Sequence, residues 1–181
     1  MSGRLIAVVG PSGAGKDSVA AAMVARRPAL HWVRRVVTRP AEPGGEPFVP
    51  ATEAEFARAE AGGAFALAWR AHGLAYGVPR AELACLGAGR DALVNLSRGV
   101  LGEAQARFPS LVVLHVTARP ELRAQRLAAR GRESMDDIAA RLVREAPLPE
   151  GLRVVRIDNS TTLAAAAGAA LAALDSQEAL P

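Results

Sequence analysis

Five short runs rich in apolar residues recur along the chain, at Leu5–Val9, His31–Val37, Ala92–Leu96, Leu111–Thr117 and Leu152–Ile157. Runs of this length without strict polar alternation predict strands covered on both faces. Between them the spacing turns helical. A helix is predicted from about Gly15 to Arg26, with Val19, Ala22 and Met23 on one face. Others follow near Val100–Arg107, from Pro120 to about Ala129, over Met135–Glu145 with Ile138 and Leu142 together, and over Leu163–Leu174. Buried strands separated by helices predict an α/β fold: a mostly parallel five-stranded sheet layered between helices.

The rhythm breaks between Arg39 and Leu86. Ala41 to Pro50 reads as a loop, rich in proline and carrying the pair Gly44–Gly45. Thr52 followed three residues later by Glu55 is a capping-box pattern and predicts a short helix through Glu60, stopped at Gly62–Gly63. Phe65–Trp69 and Leu74–Tyr76 predict a small hairpin around His72–Gly73, and Pro79 opens a short helix through about Leu86. Residues 1–181 are thus expected to form one domain, with 39–86 inserted as a substrate-binding element.

Composition narrows the class. With 181 residues, 50% apolar and 22% charged, the chain can bury a real core and is neither fibrous nor disordered. No charged start leads into a long apolar stretch, and Leu163–Leu174 is too short and too weakly apolar to cross a bilayer, so a cytoplasmic protein is expected. Cys85 stands alone, which excludes a disulfide framework and a cysteine zinc site, and it is expected within a helix face. The net charge of +4 could suggest nucleic acid, but its arginines lie near phosphate-handling elements and form no basic tail, so a small anionic substrate explains them equally well.

The chemistry concentrates after the first strand. Gly10, Pro11, Ser12, Gly13, Ala14, Gly15 and Lys16 carry the G-x-x-x-x-G-K spacing, followed by Asp17 and Ser18. Such a loop converges backbone N–H groups on a phosphate, the lysine reaches the outer phosphates, and the next helix aims its positive end at them. The residue after the lysine, where a hydroxyl ordinarily faces Mg²⁺, is Asp17. The third strand ends at Leu96–Ser97 without a carboxylate, so Asp17 is the candidate metal contact, direct or through water.

Arginines then matter, because phosphoryl transfer needs positioning and positive charge more than covalent help. Arg39, held extended by Pro40, is the candidate for an acceptor phosphate. Arg130 and Arg132 flank Gly131 in a predicted lid over about 126–146. His72 lies in a turn and is read as structural, while His31 and His115 show no neighbouring ligands. Phe48, Phe65, Trp69 and Tyr76 stand between core and pocket lining. Asn159 either meets the donor base or caps the last helix, as Ser160 and Thr161 also could.

Taken in order, G-P-S-G-A-G-K-D-S (Gly10–Ser18), T-R-P (Thr38–Pro40), F-A-L-A-W-R-A-H-G-L-A-Y-G-V (Phe65–Val78), L-V-N-L-S-R (Leu93–Arg98) and R-L-A-A-R-G-R-E-S (Arg126–Ser134) resemble the ribose 1,5-bisphosphate phosphokinase family, relatives of the guanylate kinases. The resemblance covers nearly the whole chain. It implies a nucleoside-monophosphate-kinase type of fold and transfer of the ATP γ-phosphoryl group, with Mg²⁺, onto the 1-phosphate of ribose 1,5-bisphosphate. It implies ATP-phosphate contacts from the loop glycines and the catalytic Lys16, transition-state clamping by Arg130 and Arg141, and acceptor contacts from Arg39, Tyr76 and Arg98.

A guanylate kinase is the competing expectation. That family carries an acidic guanine reader where this chain has Leu67, and a hydroxyl residue where it has Val78. Apolar residues there offer guanine nothing to hydrogen-bond. Phe48 departs from the resemblance, standing where the phosphokinases tend to carry histidine. A third class, a nucleotide-binding module without catalysis, is opposed by the intact lysine and the arginine-rich lid, and a gluconate-type kinase would need a base for its hydroxyl acceptor, with Asp17 the one evident candidate.

Overall fold

The computed structural model describes residues 3–40, 46–129 and 147–178. Its centre is β1 (Leu5–Val9), whose five residues are all buried. The continuous apolar run has a simple cause. Leu5, Ala7 and Val9 enter one core, whereas Ile6 and Val8 enter another on the opposite face.

Around β1 lie β2 (His31–Trp32), β7 (Ala92–Asn95), β8 (Val112–Thr117) and β9 (Val154–Asp158), in the order β2-β7-β1-β8-β9 with every pairing parallel. One face packs on α1 (Lys16–Arg26) and α6 (Leu163–Glu178). Ala166, Ala167 and Ala170 are buried there, so two helices can approach closely around Val19, Ala20 and Met23. The opposite face packs on α4 (Leu101–Arg107) and on a second sheet. This architecture matches the predicted fold class. Among the described residues, no helix is long and apolar enough to cross a membrane.

The second sheet contains β3 (Arg35–Val37), β4 (Phe48–Pro50), β5 (Phe65–Ala71) and β6 (Leu74–Pro79), in the order β4-β3-β6-β5. Helix α2 (Glu53–Ala61) carries the predicted capping box, with Thr52 and Glu55 each bonded to the other's backbone. The β5–β6 hairpin turns through His72 and Gly73, both at positive φ. A 3₁₀ turn (Arg80–Leu83) and α3 (Ala84–Gly87) replace the single helix expected after Pro79. Cys85 is half-buried against the core, and burial pushes its thiol pKa up. Helix α5 (Pro120–Ala129) starts at its proline as expected. The predicted helix Met135–Glu145 lies outside the described residues.

One predicted strand divides. His31–Val37 is not continuous: His31 and Trp32 pair with β7, whereas Arg35–Val37 joins the second sheet. The physical reason is Glu82. Its Oε2 accepts the backbone N–H of Arg34 at 3.0 Å, removing that group from any ladder. His31 Nε2 and the Arg34 guanidinium meet the same carboxylate. Burial pushes the Glu82 carboxyl upward, but these hydrogen bonds and the Arg34 charge outweigh it and hold the pKa below its ordinary value.

Candidate functional site

The loop between β1 and α1 is shaped by backbone crowding. Gly10 has φ +154°, and a Cβ built there would lie 2.0 Å from the carbonyl oxygen of Val116. Gly15 adopts a left-handed conformation as N-cap of α1, and a Cβ there would meet Asn159 Nδ2 at 2.5 Å. No side chain caps α1, so its first-turn N–H groups remain directed at the loop.

The loop's carbonyls are gripped from outside. Lys16 Nζ donates to Pro11 O at 3.2 Å and Arg123 Nε to Ser12 O at 3.1 Å. Arg126 Nη1 reaches Gly13 O and Ala14 O at 3.4 and 3.3 Å, and Asn159 Nδ2 donates to Ala14 O at 2.8 Å. In a trans peptide the N–H points opposite to the C=O. The N–H groups of Gly13 and Gly15 therefore face away from these donors, toward the loop interior, where an anion would sit. Beside the loop opens a cleft of about 360 Å³ lined by Gly13, Gly15, Ser18, Arg126, Ala129, Asn159 and Leu163.

Asn159 is buried at this cleft, and its amide supports the loop. It does not cap α6, nor do Ser160 and Thr161. Thr162 does, its Oγ1 accepting the N–H of Ala165 at 3.1 Å. Ser160 instead donates to Asp158 and accepts from the backbone of Arg119. Arg123 and Arg126 were hidden among the many arginines of the sequence. Their i, i+3 spacing on α5 puts both on the face toward the loop, which is the signal that could have found them.

A second group of polar residues lies where the two sheets meet. Asn95, buried at the end of β7, donates from Nδ2 to Asp17 Oδ1 and to Glu46 Oε2, each at 2.7 Å. The other Glu46 oxygen pairs with Arg35 Nη2. Arg35 is itself buried, its guanidinium 5.1 Å from the Tyr76 ring centroid and 5.5 Å from that of Trp69. Those two rings stack at 5.3 Å, nearly parallel. Sequence reasoning missed Arg35, Glu46 and Asn95 as one group, because they come from three separated segments.

Arg39 lies beside this group with its guanidinium 4.4 Å above the Phe48 ring. Its Nε is buried without a hydrogen-bond partner, and the side chain forms no ion pair among the described residues. Arg98 Nη2 stands 3.2 Å from His115 Nε2. Of the aromatic residues, Phe65 belongs to the core against Phe56, whereas Phe48, Trp69 and Tyr76 carry arginines. His72 is confined to the hairpin turn. Arg130, Arg132 and Arg141 fall outside the described residues, as does most of the predicted lid.

Among the described residues no three His, Cys, Asp or Glu side chains gather as a metal cage. Asp17 presents a second carboxylate oxygen that accepts no hydrogen bond from the described residues. One carboxylate beside a phosphate loop fits Mg²⁺, which is commonly held by one or two carboxylates together with substrate phosphates and water.

No family model matches the chain. The ribose 1,5-bisphosphate phosphokinase PhnN of Ruegeria sp. is 48% identical over 179 residues, spanning 98% of this chain and 94% of that protein. The protein of the same description from Azotobacter vinelandii is 48% identical over 174 residues, 94% of this chain and 95% of that one. Among solved structures, a guanylate kinase from Anaplasma phagocytophilum superposes with a TM-score of 0.72 over 97% of this chain and 86% of that chain. Sequence identity to it is 18%, so this likeness speaks for the fold alone.

Proposed function

Because the chain belongs to the ribose 1,5-bisphosphate phosphokinase family, we propose that it moves the γ-phosphoryl group of ATP onto the 1-phosphate of ribose 1,5-bisphosphate. An oxygen of the 1-phosphate forms the new bond to the γ-phosphorus as the bond to the β–γ bridging oxygen breaks. The products are 5-phosphoribosyl 1-diphosphate and ADP.

The observation that carries this reading is Arg39. A guanidinium laid on an aromatic ring, with its Nε buried and no carboxylate partner among the described residues, leaves its two terminal Nη groups for a bidentate phosphate contact. Lys16, the Gly13 and Gly15 amides and the α1 N-terminus are the donor-side counterpart. Tyr76 and Arg98 are assigned to the acceptor side. Arg130 and Arg141 are assigned as clamps, carried by a lid at about 126–146.

The attacking group is a phosphate monoester with a second pKa near ~6, largely ionised at neutral pH, so the reaction needs no general base. The difficulty is the approach of two polyanions, which calls for cations held in advance. Asp17 is the residue that would hold Mg²⁺, which would supply charge neutralisation at the ATP phosphates.

Leu67 and Val78 favour the sugar acceptor over guanine. They are cross-strand partners, both buried in the core between the sheets, and carry no polar group for a base edge. The deciding experiment follows ADP release with ribose 1,5-bisphosphate, GMP and dGMP as acceptors. Release with the bisphosphate and little with the nucleotides is expected; rapid turnover of GMP with none of the sugar would overturn the reading. ATP binding without acceptor-dependent release would identify a binding module instead.

A further inference from the structure

Lys16 opens α1 beside the first sheet and Arg39 follows β3 of the second, yet a short path joins them. Lys16 is followed by Asp17; Asp17 is bonded to Asn95; Asn95 is bonded to Glu46; and Phe48, two residues beyond Glu46, lies under Arg39. Two hydrogen bonds of 2.7 Å from one amide nitrogen are thus the polar link between the loop's helix and the segment carrying the Arg39 shelf.

The Asn95 amide nitrogen and the Glu46 carboxylate are committed on both sides, whereas Asn95 Oδ1 and Arg35 Nε are buried without a partner among the described residues. Asn95 Nδ2 has two hydrogens, and each goes to a different carboxylate. Glu46 divides its oxygens between Asn95 and Arg35. Arg35 is buried against Tyr76 and Trp69, so the Glu46 carboxylate is compensated and held from the second sheet as well. Asn95 also separates two carboxylates that would otherwise repel each other. A buried bridge of this kind costs desolvation, and its return here is registration of the two halves.

We infer that Asn95 and Glu46 are positioning residues that hold the acceptor-side sheet in register with the phosphate loop, and so couple the binding of the two substrates. The inference rests on the reaction proposed above. Ordering the junction is a cost that either ligand meets on binding, so the second to arrive binds more tightly. Neither residue touches the reacting atoms.

The test measures the affinity of a non-hydrolysable ATP analogue with Mg²⁺, with and without saturating ribose 1,5-bisphosphate. Wild type, Asn95→Ala, Glu46→Gln and the double variant are compared, with thermal melting as the folding check. In wild type the sugar should tighten the analogue by about 5-fold or more. In Asn95→Ala that factor should fall below about 2-fold, while the analogue alone binds within about 2-fold of wild type and kcat drops by about 10-fold or more. Glu46→Gln should behave alike, because an amide has one acceptor oxygen and cannot serve both Asn95 and Arg35. The double variant should lose little more, since both act through one link. Should Asn95→Ala fail to fold, Glu46→Gln decides alone.

A wild-type protein that binds and phosphorylates the sugar without any coupling would overturn this inference and leave the proposed reaction standing. So would coupling that survives in a folded Asn95 or Glu46 variant. A wild-type protein that neither binds nor phosphorylates ribose 1,5-bisphosphate would overturn the reaction itself.

Discussion

The two halves of the molecule hold their charged groups by opposite means. On the proposed donor side, backbone does the shaping: carbonyls of Pro11, Ser12, Gly13 and Ala14 take protein donors, and glycines stand where a Cβ would strike main chain or a buried amide. On the proposed acceptor side, side chains do it: Arg35 rests against Tyr76 and Trp69, Arg39 lies on Phe48, and Glu46 ties the group inward. Backbone shaping tolerates almost no substitution but imposes a fixed spacing. Shaping by side chains leaves spacing free and lets the bound molecule change while the fold persists.

The largest expected effect lies on the donor side. Gly10→Ala places a methyl group 2.0 Å from the Val116 carbonyl, between two strands that cannot both give way. A loss of about 3 kcal/mol is expected, with ATP binding falling alongside; calorimetric melting and nucleotide titration measure both. An unchanged melt would mean that the loop is softer than its glycines imply.

Arg39→Ala should act more selectively. Removing a charge-assisted phosphate contact of about 1.5–3 kcal/mol should raise the KM for ribose 1,5-bisphosphate by about 10- to 100-fold, with ATP affinity within about 2-fold of wild type. Equal losses for both ligands in steady-state kinetics would erase the division between donor and acceptor halves.

The smallest effect concerns the junction itself. Glu82 has a folded-state pKa lowered from 4.5, so its contribution is fully present above that value and is lost as pH falls through the folded pKa. Glu82→Gln should therefore lower stability by about 1 kcal/mol at pH 7, and the gap to wild type should close as pH drops below 4.5. Denaturant titrations across that range check it; a gap independent of pH would assign the loss to packing.

The same contrast explains what could be read in advance. The parallel sheet and the loop follow from unbroken apolar runs and a fixed glycine–lysine spacing, signals contained within a few neighbouring residues. The capping box at Thr52 and the turn at His72–Gly73 were legible for the same reason. The division of His31–Val37 was not, because its cause is a carboxylate 48 residues away from Arg34. Nor was the link from Asp17 to Glu46, whose partners reach Asn95 across separations of 78 and 49 residues. Nothing in the local pattern marks one asparagine at a strand end as the meeting point of two sheets.

The alanine face of α6 has a consequence for how the chain is made. Val19, Ala20 and Met23 of α1 are covered by Ala166, Ala167 and Ala170, and Arg4 is pinned to the carbonyl of Leu174, 170 residues later. A chain leaving the ribosome therefore displays the apolar side of its first helix until α6 has emerged. Synthesis has to pass α6 before the nucleotide cradle gains its backing, and a transcript cut short before α6 yields a sticky product for chaperones and proteases to clear.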